Sequence, residues 1–186
     1  MAATHGFVTV RPDARYGDSY GSATDGTVSS WKATTPAAES VLVSEIGIYG
    51  YSAESTLNVR FALFTHDAVN NCPEALVSGS ETGVVVFTST PGIYYATYET
   101  PIELSGETVY WLAATEQGGT LNLSRFVSGS SLLRLSEQAY PAWPTAEQWE
   151  SSTPYSPREA AFYAVYAEPV GASPVAKIIS AYMGGR

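Results

Sequence analysis

Residues Thr100–Gly119 read TPIELSGETVYWLAATEQGG, and this stretch decides the fold. Ser105-Gly106-Glu107 is a turn by composition. After it, Thr108–Thr115 runs TVYWLAAT with a two-residue period. Val109, Trp111 and Ala113 point one way; Tyr110, Leu112 and Ala114 point the other. Both sets are apolar, so the strand is expected to be covered on two sides rather than half-solvated. Gly118-Gly119 then lets the next strand fold back. Thr108–Thr115 is therefore expected to be the central strand of a β-sandwich.

Working outward, other segments alternate in the same way. Ser40–Tyr51 (SVLVSEIGIYGY) sets Leu42, Ser44, Ile46 and Ile48 on one face and Val41, Val43, Glu45 and Tyr49 on the other. Gly47 and Gly50 inside it signal a bulge or a close backbone approach. Thr56–Phe64 (TLNVRFALF) is the cleanest strand, with Leu57, Val59, Phe61 and Leu63 inward. Glu74–Glu81 and Gly83–Ser89, as two strands or one bent strand, and Ile93–Thr100, Thr120–Phe126, Ser131–Ser136 and Ala160–Glu168 complete the set, with Phe7-Val8-Thr9-Val10 as a short strand before them. Arg11–Thr35, rich in Gly, Ser, Asp and Thr, reads as an arm or long loop held down by Tyr16, Tyr20 and Trp31. No stretch sustains a 3.6-residue period, and only Ser151–Ala161 and Val175–Met183 leave room for one helical turn. Strands at intervals of about 8–12 residues predict an all-β, two-sheet antiparallel β-sandwich. Residues 1–39 form an N-terminal strand and arm, 40–168 the sandwich, and 169–186 a linker and tail.

Composition narrows the function. Charged residues make up 15% of the chain, against roughly 25% in ordinary soluble domains; Ser, Thr, Gly and Tyr take their place. A net charge of −9 with scattered basic residues speaks against nucleic acid and against an acidic membrane surface. No apolar run approaches the roughly 20 residues of a spanning helix. Met1–Gly6 lacks a basic and apolar leader. The lone Cys72 cannot form an internal disulfide. Folding in a cytoplasm, combined with a composition suited to an exterior surface, is what a virion protein released by lysis requires.

Little catalytic chemistry is legible. There is no Gly-x-Ser-x-Gly elbow and no phosphate-cradling Gly loop leading into a helix with Lys. His66, Asp67 and Cys72 share one loop, but His5 is the only other histidine and zinc wants three or four closely spaced ligands, so no metal and no cofactor are expected. Glu99, Glu103, Glu107 and Glu116 flank the central strand and read as solvated carboxylates rather than a glycosidase pair. No enzyme activity is expected. Two features stand out instead. In Tyr140–Pro157 the rings of Tyr140, Trp143, Trp149 and Tyr155 are dense in a Pro-rich loop, where they either cap one end of the sandwich or stack on a glycan or partner protein. In the tail, Val175, Ile178, Ile179, Tyr182 and Met183 make an apolar side that either packs on a neighbouring subunit or folds back onto its own sandwich.

The order of these segments resembles the jelly-roll modules of bacteriophage virion proteins (decoration, head-fibre and tail-fibre type), which also occur in carbohydrate-binding surface proteins. The pattern runs from SEIGIYGY through VRFALF to PIELSGETVYWLA and closes on an aromatic and proline loop with a final Phe/Tyr strand. It spans roughly Ser40–Glu168, and its most specific part is Ile102–Ala113, a turn containing Gly followed by a Tyr-Trp-Leu strand. The resemblance implies a jelly-roll sandwich in a virion, made in the host cytoplasm. Its implied partners are copies of itself and other virion proteins, joined through sandwich faces and terminal extensions. The alternative is a module binding a host glycan through loop aromatics.

Overall fold

The computed structural model describes residues 5–13, 19–24, 26–126, 133–155 and 159–169. Its elements are β1 (Gly6–Val8), β2 (Ser19–Thr24), β3 (Thr27–Thr34), β4 (Ser40–Ser52), β5 (Thr56–Asp67), β6 (Cys72–Leu76), β7 (Val85–Thr88), β8 (Gly92–Ser105), β9 (Val109–Gln117), β10 (Thr120–Phe126) and β11 (Leu133–Glu137). One helix follows, α1 (Ala146–Glu150), and then β12 (Thr153–Tyr155), β13 (Glu159–Ala160) and β14 (Phe162–Ala167). They form two seven-stranded sheets. In sheet I, β4 is bordered by β8 on one side and by β14 and then β10 on the other; β1 adds beside β14, and β2 and β13 beside β10. Sheet II runs β12-β11-β3-β9-β5, with β6 and β7 sharing the outer side of β5. The chain is an all-β sandwich, antiparallel in every described pairing except β1 with β14.

The expected central strand is central. β9 lies between β3 and β5, and Tyr110, Leu112 and Ala114 enter the core between the sheets with Phe61, Leu63, Ile46, Ile48 and Phe162. Trp111 and Ala113, on the opposite face, enter a second apolar layer outside sheet II with Val28, Ala62, Phe64, Cys72 and Trp149. The two-sided apolar pattern is thus matched by two-sided burial, and the outer cover comes from the chain itself.

The Ser105–Glu107 turn is held against the Pro36–Glu39 loop. Gly106 and Glu107 donate backbone hydrogen bonds to the carbonyls of Glu39 and Pro36, both at 3.1 Å. A Cβ on Gly106 would lie 1.6 Å from the Ala38 carbonyl oxygen, so only glycine fits. Gly47 and Gly50 also mark close approaches, to the Tyr94 and Asn122 carbonyl oxygens at 2.6 and 2.7 Å from a Cβ.

Three sequence expectations change. Arg11–Thr35 is not one long loop: it contains β2 and β3, and β3 pairs with β9 over seven registered residues. Ser and Thr there are strand residues, with Ser29 and Ser30 fully buried. The facing in β4 also differs. Ser44 is skipped in the register with both β8 and β14, a bulge that resets the alternation so that Val41 and Val43 share the inner face with Ile46 and Ile48. Finally, the helical turn falls at α1 rather than at Ser151–Ala161. Val175–Met183, the other candidate for a turn, lies outside the described residues.

Candidate functional site

The aromatic loop folds onto sheet II. Thr145 caps α1 reciprocally: its side chain accepts from the Gln148 amide, and the Gln148 side chain accepts from the Thr145 amide at 2.8 Å. This short helix drives Trp149 into the outer layer, where its ring meets Phe64 edge-on at 5.6 Å. Trp149 is 0% exposed, so no ring face is left for a sugar. Trp143 is half-buried, also edge-on to Phe64 at 5.7 Å, and donates its indole N–H to Glu81 at 2.7 Å. Tyr140 is partly exposed at the loop's start. Tyr155 is in β12, and its side chain lies outside the described residues. The four aromatics therefore do not form one exposed platform; two of them roof the outer face of sheet II.

Arg134 is the residue that sequence reading missed. It lies on β11 at 8% exposure and makes five hydrogen bonds, none to a carboxylate. Nε and Nη2 reach the carbonyls of Asn71 and Asn70; Nη1 reaches the carbonyls of Trp149 and Ser152 and the Ser152 hydroxyl. One guanidinium thus joins the β5–β6 loop to the end of α1. A buried cation held by four oriented carbonyls and one hydroxyl is costly to strand, so the site is a structural clamp. The capping box Thr145-Ala146-Glu147-Gln148 was readable as a helix start; a lone Arg among the leucines of Ser131–Ser136 gives no such signal.

His66, Asp67 and Cys72 do come together, in the β5–β6 hairpin, but their polar atoms are engaged locally. Trp111 donates its indole N–H to His66 Nδ1 at 3.1 Å. Burial, and then the nearby Lys32, hold the His66 imidazole below its usual value. Asp67 accepts from the Val69 and Asn70 amides and the Asn70 side chain, which keeps its carboxyl below the ordinary range. Burial pushes the Cys72 thiol up, away from the thiolate. Among the described residues no group of three or more His, Cys, Asp or Glu is placed to hold a metal ion.

A second polar cluster lies outside sheet I. Arg11, beyond the end of β1, grips Glu45 there with Nε at 2.7 Å and Nη2 on the other oxygen. The guanidinium also stacks over Tyr95, 3.4 Å from the ring centre. Tyr163 donates to the same carboxylate at 2.9 Å, and burial followed by the Glu45 charge pushes its phenol well above the usual range.

An open cleft of about 500 Å³ lies where Gly79–Gly83 faces β8, and its lining includes Glu81, Thr82, Tyr98 and Glu99. A large bulge shapes it: Val43 pairs with Ile102 and Glu45 with Thr97, so Tyr98–Pro101 stands opposite Ser44 alone. Of the four carboxylates flanking the central strand, only Glu99 lines the cleft. Glu103 and Glu107 are exposed elsewhere, and Glu116 is buried. Arg60 bonds the Thr82 carbonyl at 3.0 Å and pairs with Glu81 at 3.4 Å, fixing that wall.

No helix among the described residues is long and apolar enough to cross a membrane. Compared with known proteins, the chain matches no family model and no curated protein sequence.

Proposed function

We propose that this protein is a structural β-sandwich that works by assembling with copies of itself, and within that class a jelly-roll component of a bacteriophage virion, of decoration or fibre type. The alternation of successive long strands between the two sheets supports the jelly-roll assignment. The observation that carries assembly is the side of the sandwich where two sheet edges meet. β7 ends sheet II and β8 ends sheet I, joined by the stacked rings of Phe87 and Tyr94 at 4.0 Å. Beside this seam Val84 and Val86 are 53% and 52% exposed, a position where open strand edges and apolar side chains invite a neighbour. The outer face of sheet II, expected to join subunits, is covered by the chain's own Trp143 and Trp149, so the contact moves to the edges.

The test is the mass of the native particle by light scattering across a concentration series. An oligomer of defined size is expected, and Val86→Glu should weaken association by about tenfold or more, as for a central apolar contact. A monomer at every concentration, with or without capsid present, overturns the proposal.

A further inference from the structure

Among the described residues β8 pairs with β4 and with no other strand. One side of this 14-residue strand is therefore an open ladder of amides and carbonyls up to Ser105, whose amide donates to the Tyr110 hydroxyl at 3.2 Å and whose carbonyl accepts from Thr35 at 2.7 Å, and the open part is a template for another strand. The bulge at Tyr98–Pro101 interrupts it, but Gly92–Thr97 and Ile102–Ser105 remain regular against β4. The charges on β8 are all acidic: Glu99 and Glu103 are exposed, and the strand contains no Lys or Arg.

The chain holds a segment of matching chemistry. Residues 170–186, outside the described structure, contain Lys177 and Arg186 and no Asp or Glu, although the whole chain has 18 acidic residues and 9 basic ones. Val175–Met183 reads VAKIISAYM, with the β-branched and aromatic content that suits an added strand.

We infer that Val175–Met183 of one copy adds as a strand to the free edge of β8 in a second copy, with Lys177 set against the β8 carboxylates. The inference rests on the assembly reading for its partner: docking within a single chain satisfies the edge without joining subunits.

Full-length protein carrying Thr97→Cys and Ile179→Cys, oxidised with oxidised glutathione at micromolar concentration, tests it. The control pair is Val69→Cys with Ile179→Cys, since Val69 is 91% exposed in a loop away from β8. Native Cys72 is 1% exposed and stays out of exchange. The disulfide should form at least about tenfold faster in the test pair, the advantage of a docked segment over random encounter, and the product should be an interchain dimer. An intrachain product with the same advantage keeps the docking and removes the assembly reading. Equal rates overturn the inference. Lys177→Glu should abolish the advantage, and Glu99→Lys with Glu103→Lys should restore it. A Lys177→Glu protein that cross-links as fast as its parent overturns the charge pairing.

Discussion

The two apolar layers of this molecule are built differently. The buried residues of the layer between the sheets all come from strands, with Ala38 and Val77 from connections only packed against it: Leu57, Val59, Phe61 and Leu63 from β5 meet Ile46, Ile48 and Phe162 from sheet I. The layer outside sheet II is closed by a loop and a five-residue helix, and it depends on one buried arginine to hold that cover down. The first arises from side-chain periodicity, which needs only the pleat. The second needs a specific polar arrangement, so it should fail locally and by different mutations.

The strongest test of that contrast sets Phe61→Ala beside Trp149→Ala. Each removes a fully buried ring and should cost about 3–5 kcal/mol by denaturant titration if the layers unfold together. Phe61→Ala should raise hydrogen exchange across both sheets. Trp149→Ala should raise it mainly over residues 138–152 and 67–76, leaving β5 and β9 protected. Uniform loss in both variants would show one cooperative unit. Next comes Arg134→Met, which frees four carbonyls that α1 and the β5–β6 loop can turn toward water. A loss of about 2–3 kcal/mol is expected, again confined to the outer layer. Thr145→Ala removes the cap of α1 and should cost about 1 kcal/mol, read from the same exchange experiment.

The smallest effect concerns pH. The His66 imidazole titrates below its free value of 6.5 in the folded protein, so the unfolded chain binds a proton more readily. Stability contributed by neutral His66 is complete above pH 6.5 and is lost as pH falls from there toward the folded value. Protonated Nδ1 can no longer accept the Trp111 N–H. Thermal midpoints measured from pH 7.5 to 5 should therefore decline less in His66→Gln than in the parent; parallel declines would remove His66 from the account.

The layer between the sheets was legible because alternation records it directly. Thr56–Phe64 and Thr108–Thr115 alternate as expected, and the double apolar face of β9 announced that something would cover it. What covers it was harder to read. The sequence near Trp149 offers Pro and aromatic density but no period, and only the Thr145–Gln148 capping box betrays α1. β3 was hidden because Thr27–Thr34 mixes buried Ser with Trp31, which composition alone assigns to a loop. The shift at Ser44 was not located, since the glycines that signalled a bulge lie at 47 and 50, and which residue is skipped is a relation to neighbouring strands. The cleft joins Gly79–Gly83 to a bulge in β8, and that proximity exists only after the sheets close.

The side-by-side course of β1 and β14 has a mechanical consequence. Gly6–Val8 runs in the same direction as Tyr163–Val165, so the start of β1 and the end of β14 lie at opposite ends of their shared ladder. Tension between those two flanks loads the ladder joining them in shear, all its bonds together, rather than unzipping them one by one. A chain tethered at both flanks would bear traction along its length better than a peeling force at either end.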